Sequence, residues 1–402
     1  MLANDSANTA RNSIAYINGR VYTVNKTQPW AEAFIVDPNG KFSTVGKTSL
    51  VAAAAKAASM VTYDLKGRFV MPGIHDAHVH TIVSGSGLLN WAQTGSDVNR
   101  DNVVERIKKA SCSCAYSHVY EDWIFGGAGF GFKNFDRSIL DKDYPDTPVV
   151  LLGVGCHDWF TNTAALQRAG YNVEQGEEDP VGGKHELRQD GSLTGELKDQ
   201  AGNRLMAALP KPAAAHVKRV VQRAIVEMHR HGVTSCQDAS STEMLLSALS
   251  ELEAENNLKM QFATHCLYKN EWLTGEIQVP ADKLILNADK YRSRHVDTRF
   301  VKMMMDGACT PALMSHSDVD DNGIPDQSKI LLPDAAELVE RFDGRGMTCK
   351  IHCMGYGGAR TALDAFEIVR QMRPDGPRHE VAHCTRVLPG WLHFSKSQRH
   401  SF

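Results

Sequence analysis

The stretch MPGIHDAHVH, residues 71–80, begins like the apolar end of a strand and then turns abruptly polar. Pro72 and Gly73 redirect the chain, after which Asp76, His78 and His80 follow in quick succession. Residues two apart in a strand point to one face, so His78 and His80 present two imidazoles side by side. Two such nitrogens can hold one borderline cation such as zinc. In a chain with 17 histidines a His-x-His arises by chance about as often as not, so the pair takes its weight from its surroundings.

Those surroundings are a series of strands and helices. From residue 215 onward, apolar positions at Val217, Val220, Val221, Ala224, Ile225 and Met228 make a helical stripe that stops at Gly232. VTSCQDA then reads as a strand, Glu243–Glu255 as a helix and MQFATHCLY as a strand. FVKMMMDG, a helix over Ala335–Phe342, TCKIHCMG, a helix over Ala359–Met372, and EVAHCT continue the alternation. Strands separated by helices of this length predict parallel βαβ units, in a barrel or a doubly wound sheet. Several of these strands end in the same kind of group. TCKIHCMG carries His352, EVAHCT carries His383, and FVKMMMDG places Lys302 on the face shared by Phe300 and Met304. A lysine directed into a barrel is costly to bury as an ammonium. Reaction with carbon dioxide turns it into a carbamate anion able to bridge two cations. Against the alternative of a lysine that snorkels to solvent, four histidines arriving at strand ends favour a metal site.

The first seventy residues have another rhythm. IAYINGRVYTV, residues 14–24, alternates like a half-buried strand with a turn at Asn18-Gly19. AFIVD and KFSTVG flank Pro38-Asn39-Gly40 as a hairpin, and the alanine-rich residues 49–61 predict one short helix. Residues 91–215 lack a clean repeat and are expected to be an insertion overhanging the C-terminal face of the barrel. Counting WIFGGAG and VVLLGVG as barrel strands would give eight strands. Length argues otherwise, because about 190 residues remain outside the insertion, close to six units of the ~250-residue complete barrel.

Bulk properties set bounds. The chain has 402 residues, 42% apolar and 23% charged, with 44 basic and 47 acidic side chains for a net charge of −3. That balance excludes a polyanion binder such as a nucleic-acid protein, and no apolar run reaches the ~20 residues of a membrane span. Nine irregularly spaced cysteines do not form a secreted disulfide framework, and Cys112/Cys114 and Cys349/Cys353 lack the spacing of structural zinc sites. With a polar N-terminus that lacks a signal-peptide pattern, the expected location is the cytoplasm. The expected partner is a small-molecule substrate, with assembly into a homo-oligomer left open.

PGIHDAHVH, VKMMMDGA, KIHCMGYGGA and RHEVAHC, in this order, resemble the amidohydrolase superfamily, and specifically its family 3 branch that includes N-substituted formamide deformylases. YINGRVYTV, AFIVDPNGKFSTVG, VVLLGVGCHDWFTNTAALQRAG and GSLTGELKDQA are similar to the same branch. The resemblance spans about residues 14–384. It implies an α/β fold, a metal-dependent hydrolase TIM barrel, here incomplete with about six βα units. Residues 1–70 would form part of a small β-sandwich, 71–384 the barrel with insertion 91–215, and 385–402 a divergent tail. It further implies that His78 and His80 hold the more buried metal, that a carboxylated Lys302 bridges, and that His352 and His383 hold the second. One or two divalent ions, zinc by type, are the implied cofactor. His157 in GCHDWFTNTAAL would reach substrate, and His75 stands where an apolar residue is usual.

A cation pair lowers the pKa of a shared water and polarises a carbonyl, so the implied reaction is hydrolysis of a non-peptide carbon–nitrogen bond, as in N-substituted amides. The resemblance also implies an aspartate general base at the end of an eighth strand. After His383 the chain runs CTRVLPGWLHFSKSQRHSF and offers none. Asp306, four residues past Lys302, is read as a turn or supporting carboxylate. A truncated product with only a partial metal site and no turnover is one alternative. A cyclic-imide hydrolase or nucleobase deaminase on the same scaffold is another.

Overall fold

The computed structural model of the chain describes residues 12–388 apart from 112–116, 129–131, 133, 154, 270–279 and 311–312. The pair Cys112/Cys114 and most of the divergent tail lie outside the described residues. The chain divides into two compact units, Met1–Ile74 and His75–Phe402.

Among the described residues the first unit contains two small sheets and one helix. Ile14–Ile17 sits between Ala33–Val36 and Val61–Asp64, with Phe42–Gly46 at the edge, while Arg20–Tyr22 joins Trp30–Ala31 and Phe69–Val70 in a second sheet. The Asn18-Gly19 step carries the chain from one sheet to the other, with Asn18 in the left-handed region at φ 57°. A Cβ on Gly19 would lie 2.5 Å from Leu65 Cδ1, so any larger residue there would have to displace that leucine. The predicted hairpin forms, Ala33–Val36 antiparallel to Phe42–Gly46. The predicted helix is shorter than its alanine run, Thr48–Ala57, because Val61–Asp64 is drawn out as a strand beside Ile14–Ile17.

The second unit is built on six strands in sequential order: β1 (Ile74–Val79), β2 (Val233–Ser241), β3 (Gln261–Leu267), β4 (Val296–Met304), β5 (Thr348–Cys353) and β6 (Glu380–His383). From β2 to β6 each pair is parallel. The helices that matter for the site are α1 (Thr81–Leu89), α2 (Ala214–Arg230), α3 (Glu243–Ala254), α4 (Ala335–Asp343) and α5 (Tyr356–Met372). The two-residue period of the strands sorts their side chains. Val301 and Met303 of β4, with Cys349, Ile351 and Cys353 of β5, enter one apolar layer with Leu338, Val339 and Phe342 of α4 and Ala362, Leu363 and Phe366 of α5. Lys302, Lys350 and His352 occupy the alternate positions and face the concave side of the curled sheet. Among the described residues no helix is long and apolar enough to cross a membrane.

WIFGGAG and VVLLGVG do not enter this sheet. Ile124–Gly127 and Val149–Leu152 pair with each other in parallel, and a separate five-stranded sheet extends through Asp158–Thr161 and Leu193–Asp199 to Gly183–Leu187. Its own apolar core includes Phe125, Val150, Trp159, Leu166 and Leu197. The insertion is thus a folded layer whose mixed strand directions hide it from a search for βα repeats.

A buried polar knot ties the last strand to the helices. Arg370 of α5 donates to Asp343 at the end of α4, to Arg373 O at 2.6 Å and to Pro377 O at 2.7 Å. Cys349 N–H donates to His379 Nδ1 at 3.1 Å, and His379 Nε2 lies 2.7 Å from Arg370 Nη2 and 3.1 Å from Asp343 Oδ2. His379 lies just ahead of β6, so the knot sets where that strand starts. Arg370→Met strands the Asp343 carboxylate, and chemical denaturation should show a loss of about 3–5 kcal/mol. In the insertion, Arg188 Nε and Nη2 grip Asp136 at 2.7 and 2.8 Å. Burial opposes ionisation of Asp136, but Arg188 and Ser138 hold its carboxyl down to about 2. A carboxyl pKa depressed by folding contributes stability above its unfolded value, lost as pH falls through the folded one. The cost of Arg188→Met, about 1 kcal/mol at neutral pH, should therefore fade between roughly pH 4 and pH 2 in acid melts.

Candidate active site

The upper ends of β1, β4, β5 and β6 place the expected residues together. His78 is the fifth residue of β1 and His80 follows the strand, immediately before α1. Their ring centroids are 5.3 Å apart. His383 ends β6 with φ 71°, a left-handed turn that swings its ring over the sheet. That ring stands 4.7 Å from His78 and 4.6 Å from His352, although β1 and β6 are the outermost strands. Register pairing sets Lys302 opposite Lys350 and Met304 opposite His352, and Lys302 is only 2% exposed. His157, from the insertion, brings its ring to 5.6 Å from His352.

Each ring is held from behind. His80 Nδ1 lies 2.7 Å from Ser240 Oγ. Asp238 accepts from the backbone N–H of Thr81 at 2.8 Å and from Ser241 Oγ at 2.8 Å, which pins the start of α1 beside His80. His352 Nε2 faces the carbonyl of Gly307 at 3.0 Å. A carbonyl only accepts, so Nε2 carries the proton and Nδ1 the lone pair. His75 bonds Ser235 Oγ at 2.8 Å, a structural contact at the lower end of β1.

His157 has an anchor that the sequence did not flag. Its Nδ1 donates to Asp199 Oδ1 at 2.6 Å, and Asp199 Oδ2 accepts from Ser315 Oγ. Ser315 Oγ in turn accepts from the N–H of Ala308, in the segment after Lys302. Asp199 sits at φ 47°, an unfavourable conformation for a residue with a Cβ, held by its N–H donating to His157 O at 2.8 Å. Asp306 proves to be a cap rather than a site carboxylate. It accepts from the N–H groups of Met354, Gly355 and Ser317 at 2.8, 2.9 and 3.1 Å, at the start of α5. The GYGG run after His352 makes room for this loop, since a Cβ on Gly355 would meet Ser317 O at 1.9 Å.

Electrostatics keep the imidazoles neutral. Burial, reinforced by the Lys302 charge, lowers His80 and His383 to about 3 and pushes His78 far down. Burial and the neighbouring His383 do the same to His352. Lys302 falls to about 7, through burial first and then the Lys350 ammonium. Beneath the cluster Lys350 donates to Ala77 O at 2.7 Å and pairs with Glu380 at 3.0 Å, with Gln237 also in reach. Buried His265, to which the sequence assigned no role, stands 3.8 Å from Glu380 on the same concave side.

Among the described residues no three His, Cys, Asp or Glu side chains form a ready-made metal cage. The donor chemistry nevertheless fits a borderline divalent cation. The imidazoles are neutral, His78 Nε2 is buried without a hydrogen-bond partner, and His352 presents a lone pair on Nδ1.

The sequence model of the amidohydrolase family matches residues 61–399. The chain belongs to that family. Membership makes it a hydrolase by descent and implies a divalent metal. This amidohydrolase is 25% identical over 380 residues to exoenzymes regulatory protein AepA of Pectobacterium carotovorum subsp. carotovorum, covering 92% of this chain and 79% of that protein. It is 26% identical over 391 residues to N-substituted formamide deformylase of Arthrobacter pascens, covering 90% and 67% respectively. Among solved structures, an uncharacterized metal-dependent hydrolase from Pyrococcus horikoshii has a TM-score of 0.70 at 19% identity, over 97% of this chain and 74% of that one, a likeness of fold. The expected superfamily and the six-stranded α/β architecture are both found.

Asp306→Ala would leave three backbone donors at the head of α5 without their acceptor. Thermal or denaturant unfolding should register a loss of about 1–3 kcal/mol.

Proposed function

We propose that this amidohydrolase cleaves the carbon–nitrogen bond of an N-substituted amide, using a zinc-type divalent cation held by His78, His80, Lys302, His352 and His383. The observation that carries the reading is the convergence of four neutral imidazoles from three strand ends around one buried lysine. A cation bound there supplies Lewis acidity, polarising the amide carbonyl and making a water nucleophilic near neutral pH.

The chain's own side chains supply the remainder. Burial lowers the pKa of Lys302 to about 7, which favours the neutral amine, the form that adds to carbon dioxide. The carbamate so formed replaces a costly buried cation with an anion bearing two oxygen ligands, and removes a charge that works against the imidazoles. Ser240 orients His80 and the Gly307 carbonyl orients His352, so their rings need no rearrangement to ligate. His157 donates Nδ1–H to Asp199, which orients the ring, and we assign that ring the task of contacting the substrate and relaying the proton of the attacking water to the departing nitrogen. The relative named N-substituted formamide deformylase supports the substrate class.

The purified chain should carry one or two equivalents of divalent metal and hydrolyse members of a panel of N-substituted formamides, whereas Lys302→Ala should lose both. Folded, soluble protein that binds no metal would overturn the reading. Asp199→Asn should keep the metal yet reduce kcat by about 10²–10⁴, and an unchanged kcat would remove His157 from the proton path.

A further inference from the structure

Beside the histidine cluster lies a cavity of about 100 Å³. Ser240 joins the two, because its side chain lines the cavity while its Oγ touches His80 Nδ1 at 2.7 Å. Thr242 adds a second hydroxyl where β2 ends. The other walls are largely apolar, among them Val83 of α1 and Trp91, Phe125, Leu152 and Met206 of the insertion.

We propose that this cavity is the subsite for the N-substituent of the substrate, and that it selects a short branched aliphatic group of about three to five carbons. The assignment rests on the amide hydrolysis proposed above and adds to it the class of side group. Size argues for it: an apolar cavity of ~150 Å³ holds a benzene ring, so one of about 100 Å³ suits something slightly smaller. An open, largely apolar pocket that begins beside the hydroxyl bonded to a site histidine offers a seat for the alkyl part of a ligand. Its chemistry is graded in the same sense as an alkyl amide, the Ser240 hydroxyl next to His80 and hydrocarbon beyond.

The cavity is also built to stay open. Its roof includes Pro210, Lys211 and Pro212, and each proline locks φ near −65°. Helices α1 and α2 meet so closely that a Cβ on Gly85 would lie 2.3 Å from Val220 O. Backbone in contact with backbone holds the Val83 and Val220 walls at a fixed separation. The pocket is therefore preformed, as small-ligand sites usually are.

The test compares N-isobutylformamide with N-methylformamide on the intact, metal-loaded chain, following affinity by calorimetry or saturation-transfer NMR and hydrolysis in parallel. Each methylene seated in the cavity is worth about fourfold, so the isobutyl compound should bind at least tenfold more tightly. Val83→Phe fills the space and should bring the affinity ratio close to one while leaving N-methylformamide binding unchanged. Met244→Ala enlarges it and should shift preference toward longer alkyl groups. Should Val83→Phe unfold the protein, Leu209→Phe from the roof makes the same test. An affinity ratio that ignores the filling variant, or no measurable preference for the isobutyl group, overturns the subsite. A preserved, mutation-sensitive ratio without turnover would instead leave the subsite standing and remove the hydrolase reading. Turnover without the preference does the reverse.

Discussion

A primary amine buried to 2% exposure at the mouth of a curled sheet is the constraint around which this structure is arranged. An ammonium there has given up its water and stands near a second ammonium, that of Lys350. The fold answers in two ways. Glu380 and Gln237 absorb the Lys350 charge, while the space above Lys302 is ringed with groups that do not carry charge of their own. Four neutral imidazoles around a lysine whose pKa burial lowers form a poor apolar core, and their lone pairs are of a kind that suits a cation.

Bringing those groups together requires the curl of the sheet. His78 and His383 sit on strands with four others between them, yet their rings are in contact. Right-handed twist accumulated over successive strands bends the sheet toward closure, and the left-handed backbone of His383 finishes the approach. The knot of Asp343, Arg370 and His379 fixes the strand that carries His383, and the Asp306 cap fixes the helix that follows His352. Polar residues away from the site therefore decide its geometry.

The insertion contributes chemistry as well as cover. Through Asp199 it hands His157 to the cluster, and through Ser315 the same carboxylate is tied to the loop following Lys302. The dyad and the strand that bears the lysine are thus mechanically linked. The apolar residues of the same layer form the far wall of the cavity beside His80, so one inserted element borders both the histidine cluster and that cavity.

Much of this was legible in the residues themselves. Alternation in TCKIHC and FVKMM sorts helix-facing from concave-facing side chains, the stripe from Val217 to Ile225 marks the buried face of its helix, and the histidines at strand ends stand out against apolar neighbours. Periodicity reports local geometry, and local geometry is what an alternating or 3.6-residue pattern encodes. Asp199, Ser240 and Asp238 were not legible, because an acid or hydroxyl in a strand reads the same whether it meets water or a histidine far along the chain. The five-stranded insertion sheet was hidden for a similar reason, since mixed strand directions leave no repeat. The sequence by itself determined which side chains face the interior and what they can bind, through period and composition. Only the tertiary structure decided that β1 and β6 meet, that His157 has a carboxylate behind it and that a cavity opens beside His80. Those are long-range juxtapositions made by sheet curvature and packing, which no local pattern records.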